Sequence, residues 1–241
     1  ICFSHKNTNL INGGIYLVNK NILQNIENKY CSFENDILYK EIKKNKVIGK
    51  FFNDNFIDIG SPKKLNYIKK NPEIIQNKCF FLDRDGVINK ESGYILNFKN
   101  FIFLNGVKKA IKYLNKKRYI VIIVTNQAAI GKRILSEKKL QKIHDKMKKN
   151  LLLTNKAYVD DIYYSPYFKK SKIYKYRKNK YDRKPNPGMI LKAKKKWNIN
   201  LSSSFFIGDK LTDKQASLKS NVAFYYKTNM SLYKQIKNII K

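Results

Sequence analysis

Residues 79–89 read Cys79-Phe80-Phe81-Leu82-Asp83-Arg84-Asp85-Gly86-Val87-Ile88-Asn89: four apolar residues, then two carboxylates one residue apart, then a glycine. A run that is apolar at every position suits a strand buried on both faces, as in a parallel α/β sheet. The chain has only 17 acidic residues against 51 basic ones, so two acids at the end of such a run need a reason. Side chains two apart in extended chain point the same way, so Asp83 and Asp85 can face one ligand. A divalent cation would relieve their repulsion, and hard oxygen donors suit Mg²⁺. Gly86 allows the sharp turn that brings backbone amides to an anion. One Asp could then attack phosphorus while the other passes a proton to the leaving oxygen. Alone, the pair reads more readily as turn formers.

Outward from this stretch the design repeats. Tyr119–Val124 ends at Thr125, and Phe205–Ile207 ends at Gly208-Asp209. Val222–Tyr226 reads as a further strand, after a short helix that follows Asp213. Between the runs, Val107, Ala110, Ile111 and Leu114 recur at i, i+3, i+4, i+7, the spacing of an amphipathic helix. Ser136 is an N-cap for a helix using Leu140, Ile143 and Met147, and Pro187 suits the first turn of one using Met189, Ile190 and Ala193. Strand–helix alternation predicts a doubly wound parallel α/β sheet, whose ligands bind beyond the carboxyl ends of the strands. Asp83, Thr125 and Asp209 each stand at such an end.

The resulting set resembles the haloacid dehalogenase superfamily of phosphotransferases, and within it the D-glycero-D-manno-heptose 1,7-bisphosphate phosphatases, relatives of the histidinol-phosphate phosphatases. The carriers are "FLDRDGVIN" (81–89), "VTNQAAIGK" (124–132), "RKPNPGM" (183–189) and "FIGDKLTD" (206–213), in that order, within residues 78–241. The resemblance implies Asp83 as the nucleophile that forms an aspartyl-phosphate, and Asp85 as general acid and then base. It implies Thr125 and Lys184 as holders of the transferring phosphoryl group. Asp83, Asp209 and the Asp85 backbone carbonyl would surround Mg²⁺. Glu91, Ser92, Gly93, Tyr94, Asn126, Gln127, Ala128, Arg183 and Lys210 fall at substrate-binding positions. Phosphoryl transfer needs mainly positioning and charge neutralisation, which this set supplies. The 42 residues from Asp83 to Thr125, and the 59 from Thr125 to Lys184, leave no room for a large cap domain, so an open, capless site is expected.

Many such relatives carry a Cys-Pro-His and Cys-x-Cys zinc loop before the Arg-Lys-Pro motif. Here the matching residues are Ser165-Pro166-Tyr167 and Lys180-Tyr181-Asp182, without thiolate or imidazole, so no zinc is expected. Tyr163, Tyr164, Tyr167, Tyr174, Tyr176 and Tyr181 suggest a loop that folds by aromatic packing instead. Of the two histidines, His144 sits among lysines and reads as a solvated surface residue.

The front has a different texture. Residues 12–18, "NGGIYLV", read as a turn and strand, 47–52 and 56–59 as a hairpin, and Ser61-Pro62 as the start of a helix ended by Asn71-Pro72. A domain boundary is expected near 72–77, giving domains 1–75 and 76–241. The motifs "NGGIYLV", "SFENDIL" and "NFIDIGSPKKLNYI" resemble the carboxyl-terminal part of a sugar-phosphate nucleotidyltransferase. There the Asp of D-I-G-x-P, here Asp58, is a metal ligand. The Gly-rich nucleotide loop of that family is absent from this sequence, so Asp58 is read as structural and the front as a small α+β remnant, either cut from a longer protein or kept for packing. The chain opens on Ile1, not Met, which fits a piece of a longer bifunctional protein.

Net charge is +34, but 46 of the 51 basic residues are Lys and five are Arg. Base readers and phosphate clamps favour the planar Arg fork. The lysines are spread along every helix among Asn and Ile, which reads as compositional drift giving a solvated surface. A nucleic-acid-binding protein or polynucleotide phosphatase stays as the alternative from another class. No run of about 18 apolar residues occurs, and the three cysteines show no paired spacing. A cytoplasmic enzyme with a small sugar-phosphate substrate and no membrane partner is expected, with histidinol phosphate or another small phosphomonoester as the runner-up substrate.

Overall fold

The computed structural model describes residues 11–24, 26, 30–51, 57–178 and 180–241. The chain divides into two units, Ile1–Tyr67 and Ile68–Lys241. The division falls inside the helix that runs from Pro62 to Lys70.

The second unit is built on five parallel strands in the order β3-β2-β1-β4-β5: β1 Cys79–Leu82, β2 Ile120–Asn126, β3 Asp161–Ser165, β4 Phe205–Gly208 and β5 Ala223–Tyr226. The opening stretch is therefore the central strand. Its four residues are fully buried, because alternate side chains enter different layers. Phe80 and Leu82 join a core with Val107, Ile111 and Leu114 of α4 (Val107–Lys116), Leu140, Ile143 and Met147 of α6 (Glu137–Asn155), and Ile236 of α9 (Leu232–Ile239). Cys79 and Phe81 join Met189, Ile190 and Ala193 of α7 (Gly188–Trp197) and Ala216 of α8 (Leu211–Leu218) on the other face. Burying a side chain of this size contributes roughly 1.5–3 kcal/mol. The doubly wound sheet and the periodic helices are as the patterning predicts. Ser136 caps α6 as expected, its Oγ accepting from Lys139 N at 3.2 Å.

Three expectations are corrected. Asp161–Ser165 is a strand, so Tyr163 and Tyr164 belong to the sheet and not to the loop that follows. As an edge strand it is only partly buried, so it lacks the apolar run that marks its neighbours. His144 is 1% exposed, not solvated. It lies on the buried stripe of α6 with Leu140, Met147 and Leu151. Burial and the adjacent Arg84 guanidinium push its pKa down to about 3. A histidine near its ordinary value in the unfolded chain but neutral in the fold makes the unfolded state bind more protons as pH falls below about 6.5. Acidification from pH 7 to 5 should thus cost the native protein about 2 kcal/mol that His144→Gln does not lose, read from urea midpoints.

The third correction concerns the front. Gly14 N does turn onto Asn12 Oδ1 at 3.0 Å, but residues 15–18 form no strand. Residues 52–56 of the expected hairpin lie outside the described residues, and 47–51 and 57–59 are not strands. An extended segment needs a neighbour for its backbone groups, and the described front residues supply none. Ile15 and Leu17 are exposed, and no described residue between 11 and 67 is buried. Helices α1 (Lys20–Leu23), α2 (Tyr39–Lys43) and α3 (Pro62–Lys70), with a π-helical turn over Phe33–Leu38 leading into α2, make up the regular structure among the described residues there, α3 starting at Ser61-Pro62 as predicted. The remaining helix, α5, spans Ala128–Gly131. No helix among the described residues is long and apolar enough to cross a membrane.

Candidate active site

The carboxyl ends of β1, β2 and β4 open onto a pocket of about 250 Å³, solvent at its mouth included. Asp83, Asp85, Thr125, Asn126, Lys184, Lys210, Thr212 and Asp213 line it.

Lys184 holds the centre. Its side chain is 2% exposed, and its ammonium donates to Val124 O at 2.7 Å and pairs with Asp83 Oδ1 at 2.9 Å and Asp213 Oδ1 at 2.6 Å. The Asp213 contact is a charge pairing, not an aligned hydrogen bond. Asn126 brackets the Lys184 backbone, Nδ2 donating to its carbonyl at 3.0 Å and Oδ1 accepting from its amide at 3.1 Å. The side chain of Asn126 therefore positions Lys184.

Two of these carboxylates belong to a cluster of three. Oxygens of Asp83, Asp209 and Asp213 lie within 4.8 Å of one another. Burial pushes Asp83 up to about 7, Asp213 adding to the effect and Lys184 opposing it. Burial likewise raises Asp209, with Lys210 opposing and Asp213 assisting. Asp209 Oδ1 is buried with no hydrogen-bond partner among the described residues. Hard oxygens held this close, one of them orphaned, fit a divalent cation of the Mg²⁺ or Ca²⁺ kind. Asp213 was not singled out from the sequence. It sits in the first turn of α8, where Oδ2 accepts from Lys210 N at 3.0 Å. A Cβ on Gly208 would lie 2.4 Å from Asp213 Cβ, so only glycine lets this helix come so near β4. The signal available was the second acid of "GDKLTD", four residues beyond the first.

Gly86 has a matching role. It adopts φ +83°, and an added Cβ would meet Asp209 Oδ2 at 2.2 Å. Gly86→Ala should displace that carboxylate and raise the metal concentration for half-maximal activity about tenfold or more, as losses around metal ligands do. A Mg²⁺ titration of turnover measures it.

Asp85 faces elsewhere. Its carboxylate takes Arg84 Nη2 at 2.8 and 2.9 Å, Asn89 Nδ2 at 3.0 Å and Gln127 Nε2 at 3.0 Å. Burial alone would raise its pKa, but the Arg84 guanidinium and the two amides outweigh burial and hold it below the usual value. Its carboxylate is not in the metal cluster, which leaves the backbone carbonyl as the donor the resemblance implies. Gln127 also donates to Thr125 Oγ1 at 2.9 Å, so this side chain links two site residues.

Of the other residues that the resemblance assigns to substrate binding, Glu91 and Lys210 pair across 2.7 Å, joining the segments after β1 and β4. Ser92 and Gly93 are exposed, Gly93 at φ +78° with open space around it, and Tyr94 is exposed beside Lys132. Ala128 opens α5. Arg183 donates to Tyr167 O at 2.7 Å. The loop after β3 packs through Tyr167 against Tyr176, and Glu137 accepts from both Tyr164 and Tyr176. Tyr174 and Tyr181 are exposed and take no part in that packing core.

A family model described as polynucleotide kinase 3 phosphatase matches residues 78–234. A D-glycero-alpha-D-manno-heptose-1,7-bisphosphate 7-phosphatase of Burkholderia mallei is 38% identical over 148 residues, 61% of this chain and 78% of that protein. The D-glycero-beta-D-manno-heptose-1,7-bisphosphate 7-phosphatase of Escherichia coli is 36% identical over 144 residues, 60% of this chain and 75% of that protein. Among solved structures, a D,D-heptose 1,7-bisphosphate phosphatase from B. bronchiseptica complexed with magnesium and phosphate has TM-score 0.61 at 24% identity, covering 68% of this chain and 98% of that one. This likeness is one of fold. A candidate HAD-like phosphatase from Mesorhizobium loti has TM-score 0.59 at 28% identity, covering 61% of this chain and 70% of that one.

Proposed function

This chain belongs to the polynucleotide kinase 3 phosphatase family and is a relative of the heptose-1,7-bisphosphate 7-phosphatases, and from that premise we propose that it hydrolyses a phosphomonoester through Asp83. The substrate we assign is D-glycero-D-manno-heptose 1,7-bisphosphate, cleaved at C7. The observation that carries the reading is the cluster of the Asp83, Asp209 and Asp213 carboxylates, two of them paired with Lys184 in a pocket that Thr125 also lines.

Asp83, Asp209 and Asp213 would hold Mg²⁺, which when bound supplies positive charge to the phosphoryl oxygens. Asp83 Oδ1 is committed to Lys184 and to the Arg84 amide at 2.7 Å, so we assign Oδ2 to the attack. As the Asp83–phosphorus bond forms, the bond from phosphorus to the sugar oxygen breaks. That oxygen takes its proton from Asp85. A phosphate dianion arriving beside Asp85 raises the affinity of its carboxyl for that proton, as any like charge does. Asp85, now ionised, takes a proton from the water that attacks the aspartyl-phosphate, and phosphate and free Asp83 result. Lys184 and Thr125 hold the phosphoryl oxygens throughout. We assign Arg183 and Tyr94 to contacts with the rest of the sugar, as the resemblance implies.

The two relatives' names differ at the anomeric carbon, so both anomers belong in the assay. The family's description favours one second reading, a 3′-phosphorylated polynucleotide. Phosphate release should be measured with both heptose bisphosphates, histidinol phosphate and a 3′-phosphorylated oligonucleotide. The heptose compounds should give the highest kcat/KM. A higher value for the oligonucleotide that persists at moderate salt would replace the first reading by the second.

For the front we propose a fragment of a sugar-phosphate nucleotidyltransferase, in a longer bifunctional cytoplasmic chain. Its "DIGSP" segment supports this. Asp58 there is exposed and satisfied locally, Oδ1 by Gly60 N at 2.8 Å and Oδ2 by Lys64 Nζ at 2.7 Å.

A further inference from the structure

Arg84 lies between the two acids of β1's end yet is 1% exposed. A buried guanidinium is costly unless every direction of its fork is answered. Nη2 reaches both oxygens of Asp85, at 2.8 and 2.9 Å, and Nε reaches Oδ1 at 3.2 Å. On the far side, Nη1 is 3.3 Å from His144 Nε2. Arginine only donates, so Nε2 must accept, which places the histidine's own proton on Nδ1. The groups around the ring agree: Arg84 and Lys148 disfavour a second positive charge, Asp85 is held by Arg84, and Tyr164 offers a ring edge at 6.2 Å.

We infer that Arg84 and His144 are positioning residues that fix the carboxylate plane of Asp85 from the core of the fold. Nothing in the proposed chemistry above uses either side chain. His144 is carried on a 19-residue helix between Leu140 and Met147, both fully buried, so the far end of the chain of contacts is rigid. The fork sets the carboxylate's plane, and Asn89 and Gln127 occupy further lone pairs, one on each oxygen. Loss of the histidine acceptor frees the guanidinium to tilt, and Asp85 tilts with it. A misplacement of about 1 Å at a reacting group can cost about 10²-fold in rate.

The inference rests on the assignment of Asp85 to proton transfer, and the test separates the two. His144→Leu should lower kcat for the best phosphomonoester about tenfold or more with KM changed less than about twofold. His144→Gln, whose amide oxygen can accept from Nη1, should recover kcat to within about threefold of the native value. An unchanged kcat in His144→Leu, or equal losses in the Leu and Gln variants, overturns the inference. Should His144→Leu not fold, the native protein decides by ¹⁵N NMR of labelled histidine, with His5→Gln removing the other ring. A neutral ring protonated on Nδ1 is expected, and a proton on Nε2 overturns the contact. Absence of turnover with every phosphomonoester would fall on the functional reading, and the tautomer would still settle whether His144 accepts from Arg84.

Discussion

Asp83→Asn should abolish phosphate release, by about 10⁴-fold or more, in a protein that still folds. The amide cannot attack phosphorus, and no other described carboxylate can take its place. Asp209 and Asp213 face each other in the carboxylate cluster, and Asp85 is locked on Arg84. The fold should tolerate the change because Lys184 keeps Asp213 Oδ1 and Val124 O. A neutral residue at 83 also removes one like charge from beside Asp213, so the melting temperature should move by no more than ~3 °C. In the native enzyme, acid-quenched turnover should trap a phosphoryl group on Asp83 that hydroxylamine releases. More than about a tenth of native activity in Asp83→Asn would exclude the covalent route.

Lys184→Met should damage both stability and turnover. Removing one partner of a buried ion pair leaves the other charge uncompensated, at a cost of about 3–5 kcal/mol. Here two carboxylates, Asp83 and Asp213, lose the same ammonium. The pH dependence has a definite sign. Burial already raises Asp83 to about 7, and without the ammonium it would rise further. The folded state then binds more protons than the unfolded chain above about pH 4, so stability falls as pH rises. The deficit in Lys184→Met, measured by urea unfolding in chelator, should be largest at neutral pH and shrink on acidification. Added Mg²⁺ should restore part of it, since a cation among the three carboxylates replaces the lost charge. Turnover should fall about 10³-fold, the scale for removing a preorganised group that neutralises transition-state charge. A variant with native stability and native kcat would show that the cation at this position is incidental.

Much of this site was legible in the chain because its parts sit at the ends of buried strands. A parallel strand covered on both faces must be apolar at every position, so its end is visible where polar residues begin. Asp83, Thr125 and Asp209 were found in that way, and Lys184 by the motif around it. The edge strand at Asp161–Ser165 escaped because a half-covered strand carries no such signature. His144 could have been placed by spacing, since 140, 144, 147 and 151 share one helix face, but its lysine neighbours suggested solvent. At the front, the local patterns for a strand and a hairpin were present, and the partners they needed were not.

The buried strands of the sheet, their carboxyl ends and the identity of the groups at those ends follow from apolar periodicity and residue type, which are properties of the chain read locally. What the local reading cannot supply is distance between segments far apart along it. Asp213 and Lys184 are 29 residues apart yet in contact at 2.6 Å, because α8 packs close to β4 over Gly208. Arg84 and His144 meet across 60 residues because both are driven into the same dry layer, where neither charge nor ring nitrogen can be left without a partner. Which carboxylates share a cation, and which side chain steadies Asp85, were decided by packing.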